Sequence, residues 1–566
     1  MVESTLGHPW LASYPTGVPP KIDIPDEPLT ASLERAAQRF PDRVAVDFEG
    51  QTTTYRELLD EVEHAAGALL ALGVQRGDRV AIALPNCHAH VVAFWAVLRL
   101  GAVVVEHNPT YSASELEHQL ADSGAIAAIC WEPTAARVAE VQQNTQLRHL
   151  IAVDLTRDLP RVKRFALTLP VPAARKQRAA LRGPVPAGAL EWHRLIAEAQ
   201  PLPASHAPAS VDDIATIQYT GGTTGTPKGA ILTHRSLGSN ALQGAAWTQF
   251  EDGTETIYGV LPFFHAFGLT LCLTFAARIG ATLVAFGKFD PASVLAAQRR
   301  RPATFLPGVA PMFDRLAALA EKTGADLSSI RISLAGAMPI SGATADRWER
   351  LTGGLLIEGY GLTETSPVAL GNPCNAERRP GALGLPFPST DIRVVDQEDP
   401  AVDVAPGERG ELLIRGPQVF SGYWNRPDET ADQLLPGGWL RTGDVVVVDE
   451  HGFATLVDRI KEMIVTGGFK VYPSQVESHL RSMPGVADVA VVGVPGGDMG
   501  EKVVAAVVLD DTNSPVIDLA AVREWCEQRL ARYAVPREIV IVADLPRSQI
   551  GKVLRRVVRD QVLARA

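Results

Sequence analysis

The sequence predicts an α/β protein: a large N-terminal domain of several subdomains with βαβ-type sheets, followed by a small α+β C-terminal domain. Three observations carry that prediction. Helical patterns alternate with Val/Ile-rich strand patterns from about Thr54 to Trp131, as a largely parallel sheet with crossover helices requires. The length of 566 residues exceeds what one hydrophobic core organises, so several packed units are expected. The rhythm of elements then changes from about Val471. With 46% hydrophobic and 21% charged residues, the composition is that of an ordinary soluble globule and not of a disordered or fibrous chain.

The stretch TYRELLDEVEHAAGALLALG places Leu58, Leu59, Val62, Ala66, Leu69 and Leu70 on one helical face, and DRVAIALP then reads as a short buried strand. Ser112 and Glu115 predict a capping box that opens a further helix. Residues 157–182 carry eight Arg or Lys against one acid, Asp158. That segment reads as a surface excursion, either simply solvated or touching anionic lipid headgroups at the inner membrane face. Gly259 to Ala277 is apolar, but Pro262, His265, Gly268 and two threonines interrupt it and Arg278 follows, so it reads as a buried helix and not as a membrane span. After Val471 come a helix (SQVESHLRSM), two strands (DVAVVGVP, KVVAAVVLD), a helix (DLAAVREWCEQRL), a strand (EIVIVA) and a final basic helix, a self-contained unit of about 100 residues. The domains expected are therefore 1–456, a hinge at 457–461, and 462–566.

The net charge of -11 argues against a general nucleic-acid binder. The five cysteines are scattered, with no C-x-x-C pair or metal-ligand spacing, which points to a reducing cytoplasm. The N-terminus shows no basic region leading into an apolar stretch, so no signal peptide is expected.

The chemistry-bearing stretch is YTGGTTGTPKGA, Tyr219 to Ala230. It fails the P-loop pattern of nucleoside triphosphatases, because Pro227 precedes Lys228 and Gly229 follows it. Strand patterns on both sides make it a hairpin loop and not a helix N-terminus. Glycines that let backbone N–H groups approach, threonine hydroxyls and a mobile lysine still suit phosphate. Further on, EGYGLTET offers a tyrosine able to lie against a purine, and the oxygens of Thr363 and Glu364, of the kind Mg²⁺ prefers; a tight turn with a packed tyrosine would give the same pattern. WLRTGD ends in Asp444, a carboxylate suited to ribose hydroxyls. VDRIKEMIVTGGFKVYP follows it, and LPRSQIGKVLRR presents Lys552.

In joint order and spacing these motifs resemble the acyl-adenylate-forming superfamily, from about Thr30 to Arg556. NPTYSASELEHQLADSGA, IEGYGLTE and the pattern from Trp10 to Pro19 are most similar to bacterial long-chain fatty-acid CoA ligases. The resemblance implies a ligase using ATP, Mg²⁺, a fatty acid and CoA, and assigns roles. Thr220, Gly221, Gly222, Thr223, Thr224, Gly225, Thr226 and Lys228 would grip the departing phosphates, with Thr220 and Glu364 holding Mg²⁺. Gly336, Ala337, Glu358, Gly359, Tyr360, Thr363 and Lys461 would line the adenylate, Asp444 and Arg459 would bind the ribose, and Lys552 would bridge carboxylate and α-phosphate. Lys552, Glu364, Thr363 and Lys228 would thus form the catalytic set. The small domain would be mobile, pivoting at Lys461, with Gly467 and Gly468 facing CoA. His265 matches a gate between acyl pocket and CoA tunnel, although packing on Phe263, Phe264 and Phe267 would equally explain it. Lys470 and Val465 depart from the residues of many relatives. Transfer to a carrier protein, and activation of an aryl or shorter acid, are the competing expectations; acid preference and oligomeric state are not readable from the residues.

Overall fold

The computed structural model of the chain describes residues 8–220, 227–466, 469–496, 500–510, 517–548 and 551–565. A seven-stranded sheet runs in the order Leu190–Glu191, His149–Val153, Ala127–Trp131, Arg79–Ala83, Val103–Glu106, Ile214–Thr220 and Lys228–Thr233. Its neighbours are parallel except the last two strands, which form an antiparallel hairpin. A nine-stranded sheet is parallel at its centre, from Leu355–Gly361 through Ile332–Ala335, Phe305–Gly308, Thr256–Gly259 and Thr282–Ala285 to Val44–Phe48. A five-stranded antiparallel sheet follows, including Gly410–Arg415, Trp439–Val448 and Ala454–Arg459.

Local sequence explains the elements that place these sheets. Thr54 and Glu57 cap the helix Tyr55–Ala71 reciprocally, and Ser112 and Glu115 do the same for Ala113–Ser123, which ends at Gly124 with φ +63°. Leu58, Val62, Ala66 and Leu69 are buried, with Leu59 and Leu70 packed at the margin. In the helix His88–Arg99 every residue from Ala89 to Leu98 is buried. A helix apolar all round must be covered on all sides, and this one packs into the core cluster shared by both large sheets.

Asn86, just ahead of that helix, ties the two sheets together. Its Nδ2 donates to the carbonyls of Gly259 (3.0 Å) and Leu261 (2.7 Å), while its Oδ1 accepts from the N–H of Phe263 (2.8 Å). These bonds fix Val260 to His265 as a turn. The expected helix across Gly259 to Ala277 is thereby corrected: Gly259 ends a strand, and the helical run starts only at Ala266, continuing through a π segment at Leu269–Thr274 to Ile279. The buried part of the expectation holds, since every residue from Ala266 to Ala277 is buried. Among the described residues no helix is long and apolar enough to cross a membrane. Residues 157–182 include two short helices, Arg161–Ala166 and Pro172–Leu181, that are largely exposed.

The C-terminal elements appear in the expected order: Pro473–Arg481, the strands Val486–Pro495 and Glu501–Leu509, the helix Leu519–Glu527, the strand Glu538–Ile541 and the helix Arg555–Leu563. They have their own apolar cores on the two faces of a three-stranded sheet.

Asn86→Ala strands one buried N–H and two carbonyls, so it should destabilise the N-terminal domain by about 3 kcal/mol. Calorimetric unfolding checks this against Asn144→Ala, which removes one exposed bond to Glu117 and should change stability by less than about 0.5 kcal/mol.

Candidate active site

The Asp444 carboxylate lies at the centre of the site. Asp444 sits on the strand Trp439–Val448 directly opposite Arg459 on Ala454–Arg459, so the sheet register alone brings the pair together. Arg459 Nε lies 2.9 Å from Asp444 Oδ1, and the Tyr360 hydroxyl donates to Oδ2 at 2.5 Å. Tyr360 comes from the end of the strand Leu355–Gly361 in the nine-stranded sheet. The Asp444 side chain is only 1% exposed. Burial raises its pKa, while Arg459, the Tyr360 hydrogen bond and Lys552 oppose that rise. Burial likewise holds the Tyr360 phenol well above its usual value, with Asp444 adding to the effect.

Lys552 reaches this cluster from the C-terminal domain. Beside it, Gly551 (φ +80°) donates its N–H to the Ser548 carbonyl, and the Lys552 N–H donates to Ser548 Oγ. A Cβ on Gly551 would stand 3.5 Å from Met338 Sδ and 3.8 Å from Pro311 Cγ, so Gly551 lies against the loop after the strand Ile332–Ala335. Arg555, three residues on, pairs with Glu462 and with Glu477 (2.8 Å), fastening the final helix to the segment Ile460–Glu462 and to the helix Pro473–Arg481. Among the described residues no carboxylate lies within ion-pair distance of Lys552 Nζ. Burial, with Arg459 adding to it, pushes the Lys552 pKa down to about 8, against the pull of Glu462 and Asp444. A half-buried ammonium without a direct counter-ion is a site prepared for an anion.

A second group gathers at the phosphate-loop hairpin. Thr220 stands opposite Lys228 across the hairpin. The Trp424 N–H donates to Gly229 O (2.7 Å), and the Ile231 N–H to Gly422 O (2.9 Å), locking the hairpin to the segment that carries Tyr423. Lys228 Nζ lies 5.2 Å from the centre of the Tyr423 ring and 3.8 Å from Glu429, and the Tyr423 hydroxyl donates to Glu364 Oε1 at 2.5 Å. Tyr423 thus joins two residues that sequence reasoning had named separately. Glu364 and Thr363 lie on a short 3-10 turn that directly extends the strand bearing Tyr360, so one strand end serves both groups.

The remaining expected residues are placed as follows. Gly336 has no room for a side chain, since a Cβ would meet the Phe267 ring at 2.6 Å, and Ala337 follows with φ +65°. Gly359 is similarly hemmed in by Leu334 at 3.0 Å. The Glu358 carboxylate is engaged by Asn372 Nδ2 and the Gly381 N–H, both at 2.9 Å, and so orders the 372–381 loop. His265 Nδ1 accepts from the Phe267 N–H at 3.2 Å, capping the buried helix, and burial lowers its pKa to about 4. Lys461 is exposed. Lys470 pairs with Glu398 at 3.0 Å and so points to the N-terminal domain's surface. Gly221, Gly222, Thr223, Thr224, Gly225 and Thr226, and likewise Gly467 and Gly468, lie outside the described residues. Sequence reasoning missed Tyr423, Glu462 and Arg555. Arg555, inside GKVLRR, and Glu462, inside VDRIKEMIVTGGFKVYP, stood within stretches already singled out, whereas Tyr423 did not.

Competitive labelling with an amine reagent should find Lys552 losing its proton as pH rises through about 8. Added pyrophosphate, by favouring the charged form, should move that midpoint upward. A midpoint near the ordinary 10.5 would contradict the burial described here.

Comparison with known proteins agrees with this geometry. The chain matches the AMP-binding enzyme family over residues 33–424 and the AMP-binding enzyme C-terminal domain over residues 475–552. It is 40% identical over 559 residues to a long-chain-fatty-acid–CoA ligase of Yersinia pestis, covering 98% of both chains. It is 35% identical over 527 residues to a feruloyl-CoA synthase of Amycolatopsis sp, covering 93% of this chain and 97% of the other. ATP-bound MatB from Rhodopseudomonas palustris superposes with a TM-score of 0.81 at 30% identity, over 94% and 98% of the two chains. A motif set in family order, a cationic centre at the seam of two domains and full-length similarity lead to one conclusion: the chain belongs to the AMP-binding enzyme family.

Proposed function

We propose that the protein activates a fatty acid with ATP to acyl-AMP and pyrophosphate, then transfers the acyl group to CoA and releases AMP. The observation that carries this reading is Lys552, a half-buried cation with no carboxylate at ion-pair distance among the described residues, beside the Asp444–Arg459–Tyr360 cluster.

The chemistry explains why such a group is needed. A carboxylate is a poor nucleophile and approaches a polyanion, so the site must cancel charge and align the reactants. A carboxylate oxygen bonds to the α-phosphorus while the bond to the bridging oxygen breaks, and that electron pair leaves on pyrophosphate. Lys552 neutralises charge shared by the incoming carboxylate and the α-phosphate. Lys228, steadied by Tyr423 and Glu429, holds the leaving phosphates, as would the threonines of the loop. Tyr360, Gly336 and Ala337 line the adenine, and Asp444 with Arg459 takes the ribose. In the second step the thiol gives up its proton, sulfur bonds to the acyl carbon, and the carbon–oxygen bond to AMP breaks.

Mg²⁺ fits the donor set. Glu364 keeps one carboxylate oxygen clear of the Tyr423 bond, and Thr220 offers a hydroxyl. Few protein ligands suit an ion that stays bound to water and substrate phosphates. Bound there, Mg²⁺ would offset charge on the triphosphate.

The domains 1–456 and 462–566 would rotate about the 457–461 hinge between steps, with Lys461 as pivot. Its exposure fits a residue free to change backbone angles. His265 would gate the acyl pocket from the CoA channel while neutral. The reaction is placed in the cytoplasm. An aryl acid is the second reading, favoured by the similarity to the feruloyl-CoA synthase.

Acid-dependent exchange of pyrophosphate into ATP, measured from acetate to palmitate and for ferulate, with and without CoA, tests the proposal. Exchange should rise toward long chains, and CoA should convert it into thioester. A preference for ferulate would move the assignment to aryl acids, and exchange without thioester would move the acceptor to a carrier protein.

A further inference from the structure

The helices Arg161–Ala166 and Pro172–Leu181 leave an apolar face uncovered. Between residues 161 and 180 only Leu167 and Ala174 are buried, and these two pin the segment to the body. Val162 (80% exposed), Phe165 (69%), Val171 (46%) and Leu169 (41%) all stand in solvent. Val162 and Phe165, three apart on one helix, share a face. Single exposed hydrophobics need no explanation, but four within ten residues form a patch.

The charges that the segment itself leaves unpaired are all of one sign. Arg161, Arg164, Arg175 and Lys176 are exposed and form no ion pair among the described residues. The segment's single acid, Asp158, is buried and bound to His193 at 2.9 Å, so it cancels none of this charge at the surface. Arg157, Lys163 and Arg182 are paired with Glu191, Glu49 and Glu132, which anchors the base of the excursion and leaves its outer side cationic.

We propose that this face docks on an anionic lipid bilayer, with Val162, Phe165, Leu169 and Val171 entering the headgroup boundary and the four unpaired cations facing lipid phosphates. Short helices with apolar side chains ringed by Lys and Arg suit interfacial binding. A second copy of the chain is disfavoured as occupant, because a two-fold contact would set this cationic face against itself. The inference does not depend on which acid the enzyme activates.

The test is co-sedimentation of the full chain with phosphatidylcholine vesicles, with and without about one-third phosphatidylglycerol. Wild type should pellet with the anionic vesicles and be released by raised salt. V162D/F165D and R164E/K176E should each weaken that partition by at least about tenfold. Both variants should keep wild-type pyrophosphate exchange on a water-soluble acid in lipid-free buffer, which shows that they fold. Wild type staying in the supernatant, binding that ignores lipid charge, or variants that bind like wild type would overturn the proposal. So would loss of a wild-type dimer by the variants in velocity sedimentation without any vesicle binding, which would give the face to self-association.

Discussion

The buried carboxylate of Asp444 is the constraint on which the rest of the site depends. A carboxylate taken out of water must be compensated by donors and cations, and here the compensation comes from three separate parts of the chain. Tyr360 arrives from the nine-stranded sheet, Arg459 from the neighbouring strand of the antiparallel sheet, and Lys552 acts at longer range from the C-terminal domain. Its environment therefore exists only when all three parts are in place. The second acid at the seam, Glu462, is taken up by Arg555, which leaves Lys552 as the cation available to an incoming anion.

The two parallel sheets serve this arrangement by presenting strand ends. The hairpin carrying Lys228 closes the seven-stranded sheet, and the strand carrying Tyr360, with the 3-10 turn of Glu364 after it, belongs to the nine-stranded one. Asn86 ties the sheets together through the turn before His265, and Phe267, just beyond that turn, packs on Gly336. Packing of the core is thereby coupled to the loop against which Gly551, next to Lys552, lies.

Much of this was legible in the sequence where the determinant was local. The capping box at Ser112, the strands flanking the phosphate loop and the whole order of C-terminal elements follow from neighbours within a few residues. Tyr423 was not legible, because its meaning lies in a hydrogen bond to Glu364, 59 residues away. Glu462 and Arg555 are 93 residues apart and matter only as a pair. The start of the helix after His265 was misplaced for the same reason. Apolar composition from Gly259 onward favoured a helix, while the bonds that hold a turn there come from Asn86, more than 170 residues earlier. His265 itself stayed ambiguous because both readings demand the same apolar neighbours, and the cap it provides to Phe267 does not discriminate between them.

Energetics decide which residue probes the site most cleanly. Removing Asp444 would strand the partly exposed Arg459, and breaking such a pair costs up to about 3–5 kcal/mol, so lost activity would mix with lost structure. Lys552 neutralises no carboxylate directly, so its truncation leaves no unpaired partner behind. The direct measurement is therefore the rate of each half-reaction in Lys552→Ala, acyl-AMP formation from ATP and acid on one side and thioester formation from supplied acyl-AMP and CoA on the other. The account predicts a loss of about 100- to 1,000-fold in the first step, the usual effect of removing a group that stabilises transition-state charge, and less than about tenfold in the second. Equal losses in both steps would contradict it.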